Sequence, residues 1–268
     1  MSIKTILFHA QEKDNALPVA CKVARDFGAH LIGLHVIAPP QIPSYAGVSI
    51  PPEIFQQLER EAEQKAEKIR ERFEKAAKGE DILYEWRLEH GYVPDQVALQ
   101  ARYADLTVVS QDDPDTDADI DVAGEIVMTV RRPLLIVPYV GDYKNMGQRI
   151  MVAWDGSAEA SRSVHDAMPF LERAEQVIVF SVNPPESDHE PGADICTHLA
   201  RHGVNAEARH TIARDISVGD AILDAVSDMS IDMLVMGAYG HSRIRELVFG
   251  GATRHLLEHM TVPVMMSR

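Results

Sequence analysis

The feature that most narrows the fold is an internal repeat, because one strand, helix, strand order is written twice in a chain of 268 residues. Residues 3–9 read as a short apolar strand. Residues 17–27 follow with Leu17, Ala20, Cys21, Ala24 and Phe27 at helical spacing, closed by Gly28. A second strand at 31–37 is stopped by Pro39-Pro40. In the second half the order returns as a strand at 149–154, a helix at 160–171 and a strand at 176–182, stopped by Pro184-Pro185. Two later segments also match, 104–109 with 231–236 and 132–137 with 262–266.

Short, continuously apolar strands separated by helices are the pattern of a parallel sheet covered on both faces. The expected fold class is therefore α/β, as two tandem open parallel-sheet sandwiches over residues 1–140 and 148–268. The polar, glycine-containing stretch 140–147 is the expected linker. The copies differ most after their second strands. Residues 53–78 predict a long charged helix whose stripe of Ile54, Leu58, Ala62, Ile69 and Phe73 is expected to pack on its own sheet rather than in a coiled coil. Its counterpart at 193–201 is shorter.

The chain carries 26 basic and 41 acidic residues, net −15, and both halves are acidic. Such a surface repels phosphate backbones at long range, which argues against sequence-independent nucleic-acid binding. No apolar run approaches membrane-spanning length, and no basic-then-apolar leader precedes the first strand. The two cysteines, Cys21 and Cys196, lack metal-ligand spacing and fit a reducing compartment, so a cytoplasmic protein without a membrane partner is expected.

The sharpest local signal runs from Val235 to Thr253. Gly237 and Gly240 bracket two residues at a strand end, and Gly250-Gly251 stand immediately before a helix candidate beginning near Ala252. Glycine admits close approach of a polyphosphate to backbone N–H groups, and a helix start offers unpaired amides and a positive dipole end. Thr253 can add a hydroxyl. The spacing is neither a Walker loop nor a dinucleotide fingerprint, so neither chemistry is imported. Glycines serving only in turns remain the competing reading.

Asp155-Gly156-Ser157 follows the first strand of the same half, and a parallel sheet brings that corner beside the glycine loop. Asp155 can accept from a ribose hydroxyl or an adenine amine, or support a divalent ion near phosphates. Taken alone it also reads as a helix cap with Ser157. Between the glycines, Arg243 is a candidate phosphate fork and His241 a weaker candidate base.

On these residues the chain resembles a tandem universal stress protein, with two universal-stress domains over nearly all of its length. The adenine-nucleotide motif of that family is Gly, two residues, Gly, nine residues, Gly, then Ser or Thr. Gly237, Gly240 and Gly250 match it, whereas Gly251 replaces the final hydroxyl. The resemblance implies a Rossmann-like topology of the adenine nucleotide alpha hydrolase type and an antiparallel contact of 134–137 with 264–266 that makes an intramolecular pseudo-dimer. It further implies a C-terminal site for ATP or another adenine nucleotide, with Mg as a candidate companion. Asp155 and Val182 would frame adenine and ribose; Met236, Gly237, Gly240, Gly250, Gly251, Ala252 and Thr253 would line the rest.

The N-terminal copy has His9-Ala10-Gln11-Glu12 in place of the aspartate corner, and six aspartates crowd residues 112–121 in place of the glycine loop. It is expected to be a degenerate, structural half, with the acidic run as a solvated loop rather than a metal site. His198, His202 and His210 are expected simply on the surface. The leading function is stress-response regulation through nucleotide binding, with a homodimer and protein partners as candidate outputs. A slow Mg-dependent ATPase and a ligand-free interaction scaffold stay open as alternatives.

Overall fold

The computed structural model describes residues 2–39, 52–113, 122–186, 190–238 and 251–268. In its N-terminal half the order is β1 (Thr5–His9), α1 (Ala16–Phe27), β2 (His30–Ile37), α2 (Pro52–Gly79), β3 (Tyr84–His90), α3 (Val93–Ala101), β4 (Leu106–Ser110), α4 (Val122–Thr129) and β5 (Leu134–Val137). The C-terminal half runs β6 (Arg149–Ala153), α5 (Ala158–Leu171), β7 (Gln176–Val182), α6 (Ala193–Arg201), β8 (Ala206–Thr211), α7 (Val218–Asp228), β9 (Met233–Gly237), α8 (Ala252–His259) and β10 (Val264–Ser267).

The expectation of two separate sandwiches needs correction. All ten strands form one continuous sheet in the order β3-β2-β1-β4-β5-β10-β9-β6-β7-β8. Each half is parallel within itself, and the halves meet where β5 and β10 pair antiparallel, Ile136 opposite Val264 and Leu134 opposite Met266. Joining the two edges pairs backbone groups that would otherwise stand open on each half. The 134–137 and 264–266 contact expected from the resemblance is thus present, as the seam of a single sheet.

The strands form because their residues satisfy both sheet faces with apolar side chains. β4 and β5 are buried at every position, and separate clusters of buried residues cover the two faces. The matched segments noted in the sequence have a common physical basis. The Asp105 carboxylate accepts from the N–H groups of Lys4 and Thr5, and Asp232 accepts from those of Gly147, Gln148 and Arg149. In each copy the aspartate before one central strand ties down the start of its neighbour.

The stripe on α2 behaves differently along its length. Ile69 and Phe73 are buried against the sheet, but Ile54 and Leu58 are 47% and 42% exposed. Only the C-terminal part of the helix packs as expected. Its anchor is Phe73, whose ring sits where Gly33 of β2 has no side chain; a Cβ there would lie 2.7 Å from the ring. Among the described residues no helix is long and apolar enough to cross a membrane.

Candidate functional site

In the C-terminal half β6 lies between β9 and β7, so the chain reverses its direction of winding at the β6/β9 pair. Open parallel sheets form their ligand crevices at the carboxyl ends of such a switch point. The corner after β6 carries Asp155, Gly156 and Ser157, and the end of β9 carries Met236 and Gly237. Asp155 and Gly156 are exposed, Ser157 and Val182 half-buried, and Met236 buried.

The local chemistry of the Asp155 corner is a helix start. Its Oδ1 accepts from the Ser157 N–H at 2.9 Å, and Ser157 Oγ accepts from the Ala160 N–H at 3.1 Å, capping α5. Gly156 supplies the left-handed turn with φ of +76°. The cap occupies one carboxylate oxygen by this contact and leaves Asp155 on the surface at the crevice mouth. Beside it, the Ser181 hydroxyl donates to the Trp154 carbonyl at 2.9 Å, fixing the base of the same corner to β7.

Gly237 has a different reason for being glycine than the one expected. A Cβ there would lie 2.6 Å from the Ala160 nitrogen and 2.6 Å from the Glu159 carbonyl carbon. The space is filled by the first turn of α5, which glycine allows to approach the end of β9. This brings the two corners together directly.

After the segment that follows β9, α8 begins at Ala252 with Gly251 at its N-cap, a position that contributes no side-chain cap bond. Ala252 is half-buried and Thr253 is buried. The helix meets α7 through His255, whose Nε2 lies 2.8 Å from Asp220 Oδ1. Gly240, His241, Arg243 and Gly250 lie outside the described residues. The structure therefore brings Asp155, Gly156 and Ser157 beside Met236 and Gly237 at one sheet edge, with Val182 at the end of adjacent β7 and Gly251, Ala252 and Thr253 at the start of α8.

The N-terminal copy has the matching crevice at β1 and β4, and it is not empty of features. Backbone pairing puts Ala10 opposite Leu34 as Trp154 is opposite Phe180, so Gln11 stands where Asp155 does. The connection from β1 to α1 takes residues 10–15 where 154–157 suffice from β6 to α5. A cavity of about 680 Å³ opens there, with His9, His35, Ser110 and Tyr139 among its lining residues. None of the four was singled out from the sequence as a site residue. The cue available was the longer connection after β1.

The described part of the acidic run, Asp112 and Asp113, is structural in its contacts. Asp112 Oδ2 accepts from the Ala123 N–H at 2.8 Å at the start of α4, and Asp113 lies 3.9 Å from the Lys13 ammonium. Residues 114–121 lie outside the described residues. Among the described residues no group of three or more histidine, cysteine or acidic side chains is placed to hold a metal ion. Histidines do gather away from the crevice, since the His198 ring is 5.3 Å from that of His165 and 4.8 Å from that of His202. His202 and His210 are exposed and His198 half-buried, in keeping with the surface placement expected, and the row runs from α5 to the end of α6. Burial, reinforced by Glu80, pushes the Cys21 thiol up to about 12, which removes it as a nucleophile.

Residues 146–268 match the model of the Universal stress protein family. Over 147 residues the chain is 28% identical to the Universal stress protein Slr1230 of Synechocystis sp.. That match covers 53% of this chain and 49% of the relative, so the chain spans about half the length of the curated relative it matches. Among solved structures, a universal stress protein from Archaeoglobus fulgidus superposes with a TM-score of 0.78 at 15% identity, covering 100% of this chain and 97% of that one. A putative universal stress protein from Pseudomonas aeruginosa gives 0.62 at 15% identity, with 99% and 93% covered. These structural likenesses establish the fold.

Proposed function

The chain has the tandem, two-copy architecture of universal stress proteins, its C-terminal half matching the family model, and from that premise we propose that the C-terminal copy binds ATP or a related adenine nucleotide as a regulatory ligand. The observation that carries this reading is a contrast between the two helix starts. The N-terminal copy sets its own Asp112 carboxylate at the start of α4, whereas the C-terminal copy puts glycine at the N-cap of α8. A helix start whose N-cap residue is glycine carries no side-chain anion at that position, which suits an incoming phosphate.

In this reading the backbone at Gly251 and Ala252 and the Thr253 hydroxyl face the phosphates. Gly240, Arg243 and Gly250 belong to the same cradle by sequence. Asp155 accepts from the ribose at the crevice mouth, Val182 and Met236 border the base, and Mg accompanies the phosphates. Gly237 acts at one remove, by letting α5 close on β9. The output is a change in contacts with protein partners or a second copy of the chain.

Titration of the full chain with ATP and Mg, followed by the fluorescence of Trp154 beside the crevice, tests the assignment. Asp155→Ala should raise Kd about tenfold or more, the loss of a hydrogen bond to a charged group being worth roughly 1.5–3 kcal/mol. An unchanged Kd with an intact fold would remove Asp155 from the site. Absence of saturable binding by the unaltered chain would remove the nucleotide reading itself.

A further inference from the structure

The cavity of about 680 Å³ in the N-terminal half falls within the size range of small-molecule sites. Its walls are apolar where β2, α2 and α3 contribute Val36, Ile37, Ala62, Ile69 and Val93. Its charged groups are already engaged by the protein. Lys65 faces Glu12 at 4.0 Å and Lys13 faces Asp113 at 3.9 Å. Asp14 accepts from the N–H groups of Gln11 and Ala16 at 3.0 and 2.9 Å and from the Ser110 hydroxyl at 2.7 Å.

Two of these carboxylates sit where a phosphate would be drawn. Asp14 serves the start of α1 and Asp112 the start of α4, the two helices that follow β1 and β4 in the chain. Each helix start has thus received an anion from its own loop, and a second anion placed there would meet like charge. A cation would have to leave water for a cavity whose carboxylates are committed to other donors, at a large desolvation cost.

The floor keeps two imidazoles. His35 Nδ1 lies 2.8 Å from the Ala10 carbonyl and must carry the proton there, because a carbonyl only accepts; its Nε2 is then an acceptor. His9 Nδ1 faces the Gln11 amide nitrogen at 3.4 Å and accepts from it, so its proton rests on Nε2 as a donor. Burial holds both rings below their ordinary pKa, and they are neutral at pH 7. The His35 ring is braced by Trp86, stacked at 6.4 Å. Gln111 is spent elsewhere: its amide donates to the Leu257 carbonyl at 2.7 Å and accepts from the Tyr139 N–H.

We propose that the N-terminal cavity binds an uncharged, phosphate-free small molecule with an apolar body, whose polar edge offers one acceptor and one donor to His9 and His35. The two copies then divide their ligands by chemistry, and the N-terminal copy is a second sensor rather than a structural filler. The binding test reads this cavity on its own, whatever the outcome for nucleotide in the other half.

The probe is the uncharged fluorophore 7-(dimethylamino)-4-methylquinolin-2(1H)-one, whose lactam edge carries one N–H donor and one carbonyl acceptor on an apolar body, titrated into the full chain with and without saturating ATP. One saturable site per chain with blue-shifted emission is expected, unaffected by ATP. Ala62→Trp, which extends an indole from the wall of α2, should weaken it at least tenfold while ATP affinity in the other half is unchanged. His35→Phe, which keeps the ring against Trp86 but removes the acceptor, should weaken it several-fold. No saturable binding, equal affinity in both variants, or displacement of the fluorophore by ATP would each overturn the proposal.

Discussion

Replacing Phe73 with alanine is expected to destabilise the protein by about 3–5 kcal/mol, the cost of deleting a fully buried aromatic ring whose surroundings relax only in part. Phe73 is 1% exposed and is the centre of an aromatic group. Its ring is stacked 6.2 Å from Phe8 and meets Tyr84 and Trp86 at 5.7 and 5.5 Å, so it ties α2 to β1 and β3 as well as to Gly33 of β2. Gly33→Ala alone should also destabilise, because the new methyl enters the ring. In the Phe73→Ala background the same methyl finds space, and the two changes should show strong coupling. Denaturant unfolding of the two single variants and the double variant measures both effects; additive costs would show that the ring does not occupy the space over Gly33.

Acid should remove about 3 kcal/mol of stability through His9 alone. Burial, with a contribution from nearby His35, holds its imidazole down to about 4 from an ordinary 6.5. Between those values the unfolded chain holds the proton and the folded chain does not, so stability rises with pH across the window and falls as acid is added. The full loss is reached near pH 4. His35 is also lowered by burial and works in the same direction. Asp14 works the other way: burial raises its carboxyl against the pull of its hydrogen bonds and Arg72, which takes stability away as pH rises through its own window above 3.8. Comparing the unaltered chain with His9→Gln isolates the histidine. The variant's stability should fall less steeply from pH 6.5 to 4, by up to one proton's slope, and parallel curves would contradict a neutral buried His9.

Much of the fold was legible because it follows from patterns that repeat. The matched segments around Asp105 and Asp232, and the apolar runs 134–137 and 264–266, are visible as residues, and each has the same task in both copies. What the sequence left out was the sheet as a whole. Repeats count strands but say nothing of whether two edges fuse, and the β5–β10 pairing makes one sheet of two expected ones. The stripe on α2 likewise promised a buried face throughout, but a 28-residue helix outruns the sheet it covers, and Ile54 and Leu58 lie beyond it.

The site was legible where spacing alone decides proximity. The corner after β6 and Gly237 come to one sheet edge because parallel strands put their carboxyl ends together. It was less legible where meaning depends on the neighbour across the gap. Gly237 reads as a phosphate glycine in sequence, yet the atoms against it belong to the first turn of α5. Asp112 reads as repulsion, yet its carboxylate caps α4. The N-terminal cavity was missed for the same reason, since two extra residues before α1 and two neutral histidines form no motif until they are folded together.

The contrast between the two copies predicts a single nucleotide site per chain. Intact-mass measurement of the folded chain under non-denaturing conditions, in excess ATP and Mg, counts this directly. One nucleotide per chain is the predicted result, lost when Asp155 is replaced by alanine at limiting ligand. Two nucleotides per chain, or none, would contradict it.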